Sequence, residues 1–145
     1  MNLYDPHAHS EPFLVLTGLS FLIPAYRAML QEHAYLMWSY LLLCSTTILF
    51  HSTRYPFFFY IDGIAILNHI IGGAFIVYHQ SNRERVSMWF TTTYSLFTYF
   101  VGKQYKLFSF DPDWNTQMLF HCLMHFFSAY SACVSLDYNL RISDI

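Results

Sequence analysis

Five polar residues lie inside or at the edges of apolar segments, and their types and spacing fit metal chemistry. They are Thr47, His51, Asp62, His121 and His125. Polar groups at membrane depth are costly, so a chain that keeps several of them is expected to use them. His121 and His125 are four residues apart, as are Thr47 and His51, which puts each pair on one helix face, one turn apart. Three imidazoles and one carboxylate can therefore converge on a single metal ion.

These residues suit a catalytic zinc site. Catalytic zinc typically has three protein ligands and a water in its fourth position, whose pKa the metal lowers to about 7. We therefore predict that His51, His121 and His125 bind Zn²⁺. Asp62 is the predicted general base or orienting group, and Thr47 is predicted to hold the water or a developing oxyanion.

No other catalytic scheme has candidate residues in this chain. The sequence contains no glycine-rich phosphate loop, no GxSxG elbow and no nucleophilic Cys-His pattern. Cys44, Cys122 and Cys133 form no CxxC pair and fall inside apolar segments, which indicates packing residues, although Cys122 is adjacent to a predicted ligand. The formal net charge of −2, without a basic stripe, argues against a nucleic-acid partner.

Composition indicates a membrane protein. Of 145 residues, 55% are hydrophobic and only 11% are charged, and the mean hydropathy is +0.32. Soluble domains usually carry about a quarter charged residues. A water-soluble fold would therefore lack a polar surface.

Five apolar runs approach or exceed the roughly 20 residues that cross a bilayer as a helix. They cover residues 12–30, 33–53, 57–79, 86–102 and 114–136. Short polar connections make successive helices antiparallel neighbours. The sequence thus predicts an all-α integral membrane bundle of about five transmembrane helices in one domain, 1–145. Pro24 is expected to kink or break the first run, which we predict to be a retained anchor because no cleavable signal precedes it.

The order of the runs predicts that the candidate site residues meet on one side of the membrane. If the N-terminus defines side A, the second run ends there, and the third and fifth runs begin there. His51, Asp62 and the two histidines of the fifth run then share that side. The distribution of Lys and Arg between the two sides is nearly even, so charge predicts no orientation.

The remaining histidines are weaker candidates. His69 lies seven residues after Asp62, on the same helix face, where it can support the site together with Asn68 or make a packing hydrogen bond. His7 and His9 lie near a terminus and are predicted to be surface residues.

The motifs resemble those of the CREST superfamily of membrane metal hydrolases. Thr47-Ile-Leu-Phe-His51, then Asp62, then His121-Cys-Leu-Met-His125 is similar to that superfamily's Ser-x3-His, Asp and His-x3-His signature. The superfamily includes alkaline ceramidases, the Per1 proteins, the progestin/adiponectin receptors and the hemolysin III relatives. The spacing from His51 to Asp62 and the stretch around the HxxxH pair look most like the ceramidase and Per1 branches. The stretches FHST and IDGIAI are also similar to the receptor and hemolysin III branch.

The resemblance implies an integral endomembrane protein, in the ER or Golgi, that hydrolyses a lipid amide or ester bond, with a ceramide or related acyl lipid as substrate. It also implies zinc on the three histidines, with Asp62 and Thr47 around the bound water. The chain differs from the family pattern in having five predicted spans rather than seven, and Thr47 where serine is usual. For the acidic calcium cluster of alkaline ceramidases, only Asp5 and Glu11 are available.

Two other functions remain open. One is a receptor-like or structural membrane protein in which zinc holds three helices together without turnover. The other is a small haem-binding anchor subunit that uses two membrane histidines as axial ligands.

Overall fold

The protein is all-α in the computed structural model, which describes residues 11–78 and 82–142 and contains no strand in those ranges. This confirms the predicted fold class. The helices are α1 (Pro12–Gly18), α2 (Leu22–Leu30), α3 (Ala34–Thr53), α4 (Pro56–Tyr78), α5 (Asn82–Tyr105) and α6 (Trp114–Ile142), with 3₁₀ turns at Leu19–Phe21 and Phe108–Phe110. Asp5, His7 and His9, which the sequence singled out, lie outside the described residues.

Four helical stretches in the described ranges are long and apolar enough to cross a membrane: Pro12–Leu30, Ala34–Thr53, Pro56–Ala74 and Trp114–Leu136. They match the first, second, third and fifth predicted runs. The fourth run forms part of α5, which is 24 residues long but mixes serine, threonine and tyrosine among its apolar residues. A membrane crossing by α5 therefore remains a prediction.

Pro24 accounts for the break in the first run. The 3₁₀ turn at Leu19–Phe21 separates α1 from α2, and Pro24 is the third residue of α2. Proline lacks the N–H that would bond four residues back, and its ring crowds that carbonyl. The helix consequently tightens just before Pro24.

The chain divides into two compact units, one up to Gly72 and one from Gly73. In the first unit, α1 and α2 pack against α3. Side-chain contacts also join α4 to α3, since the rings of Phe50 and Phe59 lie 5.4 Å apart and Asn68 donates a 2.8 Å hydrogen bond to Ser39. The prediction of a single domain is not tested by this division.

In the second unit, α5 packs against α6, and the Phe108–Phe110 turn contacts both helices. The Phe108 ring lies 5.0 Å from that of Phe120 on α6. Asp113 begins α6 by accepting the N–H of Thr116 at 2.8 Å, an N-cap bond that satisfies one of the donors left open at a helix start.

Candidate metal centre

His51 lies in the last turn of α3 and is almost completely buried, with 1% of its surface exposed. Its Nδ1 atom is 2.8 Å from Oε2 of Glu11. Because a carboxylate only accepts hydrogen bonds, Nδ1 carries the proton in this pair and Nε2 carries the lone pair. A neutral imidazole in this form presents Nε2 as a metal ligand.

Asp62 lies two turns into α4, buried beside α3. Its Oδ1 atom accepts hydrogen bonds from Thr46 Oγ1 at 2.8 Å and from Thr47 Oγ1 at 2.9 Å. A buried carboxylate needs such partners, because leaving it without them would cost several kcal/mol.

The hydrogen bond to Asp62 bears on the predicted role of Thr47. A hydroxyl has one proton to donate, and in this arrangement the proton of Thr47 points to Asp62. The structure thus places Thr47 as a holder of the carboxylate, while its predicted contact with water or an oxyanion remains untested.

The methyl group of Thr47 has a matching space on α1. A Cβ atom built on Gly18 would lie 3.0 Å from Thr47 Cγ2, closer than ordinary van der Waals contact. Glycine at position 18 therefore makes room for threonine at position 47.

His121 and His125 lie one turn apart on α6, as their spacing predicted. Their ring centroids are 5.1 Å apart. His125 is buried, and His121 is half-buried. The pair therefore occupies one face of α6 with little solvent around it.

His51, His121 and His125 form a group that can hold a metal ion. One ring nitrogen from each residue lies within 4.8 Å of the others. In tetrahedral zinc with Zn–N bonds of 2.0–2.1 Å, the nitrogen ligands lie roughly 3.3 Å apart. This separation is smaller than the 4.8 Å within which the three ring nitrogens lie. The donor set fits a metal, but imidazole also suits copper, iron and nickel, so the ligands alone leave its identity open.

His69 is not part of this group. Its ring packs against that of Tyr40, with centroids 5.4 Å apart. The neighbouring Asn68 bonds Ser39 and accepts a 3.0 Å hydrogen bond from the Tyr35 hydroxyl. His69 thus packs against α3 through its ring, while the predicted packing hydrogen bond of His69 remains a prediction.

Three residues around the site were missed by sequence reasoning: Glu11, Thr46 and Arg54. Glu11 was considered only for a calcium cluster, yet it contacts both His51 and Arg54, the latter at 2.8 Å. Its position at the start of the first apolar run was an available signal. The adjacent Thr46-Thr47 pair was a similar signal for two hydroxyls on one acceptor.

Comparison of the chain with protein-family models, with curated proteins and with solved structures finds no match. The resemblance to the CREST superfamily therefore stays a prediction based on the motifs.

Proposed function

We propose that this protein is a zinc-dependent membrane hydrolase that cleaves an amide or ester bond of an acyl lipid, with a ceramide-like lipid as the first candidate. The observation that carries the proposal is the group of three histidines. The helix that bears His51, α3, also holds the buried carboxylate of Asp62 through two threonine hydroxyls. Three imidazoles with an acid nearby form the donor set of a catalytic zinc site.

His51, His121 and His125 would hold the metal. Zinc bound there would lower the pKa of a water molecule and polarise a substrate carbonyl. The protein's own groups then have to accept a proton and stabilise the negative charge that develops on the carbonyl oxygen.

Asp62 is the proposed proton acceptor. Both threonine hydroxyls bond its Oδ1 atom, so Oδ2 is the oxygen proposed to accept the proton of the water. When Asp62 gains the proton, its need for two hydroxyl donors decreases, and the Thr47 hydroxyl can turn to the developing oxyanion.

Exposed apolar side chains support a substrate that arrives from the bilayer. On α6, Leu119, Phe126 and Tyr130 are each more than half exposed, and their spacing puts them on one helix face. Such a face suits contact with lipid chains. We propose an endomembrane location on the basis of the family resemblance.

The test is hydrolysis by detergent-purified protein, with a fluorescently acylated ceramide and a matched phospholipid as substrates. Treatment with a chelator should abolish turnover, and added Zn²⁺ should restore it. Asp62→Asn should keep its zinc but lose about 10²–10⁴-fold in turnover, the usual contribution of a general base.

His69→Gln is the matched control, since it removes a membrane histidine that is outside the cluster, and it should retain both zinc and turnover. Equal hydrolysis with and without chelator would refute the mechanism. So would purified wild-type protein that contains iron and a Soret band, which would instead identify a haem-binding subunit.

A non-catalytic zinc site is the second candidate, and the burial of two ligands favours it. His51 and His125 are 1% and 8% exposed, so a metal held by them would lie away from bulk water and could stabilise the fold without turnover. This function predicts bound zinc without hydrolysis of any lipid tested, together with a large loss of thermal stability in His125→Ala.

A further inference from the structure

Glu11 is attached to the end of α3 by its backbone and its side chain at once. Its N–H donates to the carbonyl oxygen of His51 at 2.9 Å. Its Oε2 atom accepts from His51 Nδ1 and from Arg54 Nη1, each at 2.8 Å. We call these three contacts the Glu11 clamp.

The backbone hydrogen bond from Glu11 gives the His51 carbonyl a partner that the end of α3 does not supply. In a continuing helix, the His51 carbonyl would accept the N–H of Tyr55, but that N–H lies 3.3 Å from the Thr53 hydroxyl oxygen and donates there. Carbonyls in a last turn lack helical partners. Glu11 supplies a donor, and its own carbonyl accepts the N–H groups of Leu14 and Val15 as α1 begins.

Arg54 stabilises the buried carboxylate of Glu11 by an ion pair. The Glu11 side chain is 8% exposed and that of Arg54 is 28% exposed. A carboxylate so far from water requires a compensating charge or several donors. Arg54 also lies 5.6 Å from the Phe50 ring centroid, which helps to hold the guanidinium beside Glu11.

We propose that Glu11 is a positioning residue of the metal site, and this inference rests on the proposed function. The clamp fixes the orientation and the tautomer of His51, so that Nε2 remains available to the metal. A carboxylate on the far nitrogen of a ligating histidine also raises its basicity, and loss of such a partner typically costs 10–100-fold in metal affinity or activity.

The test measures metal affinity directly. Zn²⁺ dissociation constants are determined by chelator competition on wild-type protein, Glu11→Ala and Glu11→Gln in detergent, and the visible spectrum of the Co²⁺-loaded forms reports ligand geometry. Glu11→Ala should bind Zn²⁺ about 10–100-fold more weakly. Glu11→Gln, which keeps a neutral acceptor, should fall between that variant and wild type.

Glu32→Gln is the charge-matched control, because it removes one exposed carboxylate far from the clamp in sequence, and it should bind like wild type. If Glu11→Ala does not fold, Arg54→Met provides the second measurement and should weaken binding and alter the Co²⁺ spectrum. Wild-type affinity in both Glu11→Gln and Arg54→Met would overturn this inference alone. Failure of wild-type protein to bind any metal would instead refute the proposed function.

Discussion

At the scale of single residues, the centre depends on how tightly α1 approaches α3. The Thr47 hydroxyl donates a hydrogen bond to Asp62. Its methyl carbon would lie only 3.0 Å from a Cβ atom at position 18. Thr47 therefore contacts Asp62 through its hydroxyl and α1 through its methyl group. Because different atoms make the two contacts, mutation can change one and keep the other.

Gly18→Ala should destabilise the protein by about 1–3 kcal/mol, the usual cost of inserting a methyl group into a packed contact. Thr47→Ser removes the opposing methyl group but keeps the hydroxyl, and should cost about 1 kcal/mol. In the double variant the new methyl group takes the vacated space, so the two effects should compensate rather than add. Thermal unfolding of the four proteins in detergent measures the coupling.

Gly63→Ala is the control for glycine replacement in a helix. Apart from its chain neighbours and its own helix backbone, no atom of the described residues lies within 4 Å of a Cβ atom built there, so alanine should be neutral or stabilise the helix by up to about 1 kcal/mol. Strictly additive losses in the double variant would show that the proposed contact is wrong.

Spacing was enough to predict some of the site, because residues four apart share a helix face whatever the rest of the fold does. His121 and His125 illustrate this, and so do Thr47 and His51. Glu11 could not be found in that way, since forty residues separate it from His51 and only the packing of α1 on α3 joins them.

At the scale of helices, α5 shows how a polar segment can remain a regular helix. The Thr98 hydroxyl donates to the Tyr94 carbonyl at 2.8 Å, and that of Thr91 lies 3.1 Å from the Ser87 carbonyl. Hydroxyls bonded back to their own helix need no water. Hydropathy predicted a crossing at 86–102 and structure confirms a helix there, but periodicity could not show where these hydroxyls bond.

The start of α6 gives a pH-dependent prediction. The N–H of Thr116 bonds Asp113 and lowers the pKa of this carboxyl below its usual value. A carboxyl whose pKa is lowered on folding stabilises the protein above its unfolded pKa of about 4, and this contribution is lost as the pH falls through the folded pKa. Asp113→Ala should therefore lower the melting temperature at pH 7, and the difference from wild type should shrink below about pH 4.

Melting curves from pH 7 to pH 3 test this in detergent. Asn115→Ala, two residues further along and also exposed, should show no such pH dependence relative to wild type. A constant difference between wild type and Asp113→Ala across the range would contradict the role of the ionised carboxylate.

At the scale of the whole molecule, the exposed apolar side chains predict a lipid environment. Ile64 lies near the middle of the Pro56–Ala74 stretch and is 65% exposed. A charged residue at the centre of a membrane helix costs about 2.5–3.5 kcal/mol in insertion. Ile64→Arg should reduce the carbonate-resistant membrane fraction of the expressed protein.

Ile64→Ala is the matched control, because it shortens the side chain without adding charge, and it should integrate like wild type. Equal integration of Ile64→Arg and Ile64→Ala would indicate that this face of α4 does not contact lipid.

The close approach of Gly18 to the methyl group of Thr47 also has an evolutionary consequence. Because a Cβ atom at position 18 and the methyl group at position 47 would lie only 3.0 Å apart, the two positions should covary among relatives of this protein. Alanine at position 18 should be found more often with serine at position 47 than with threonine.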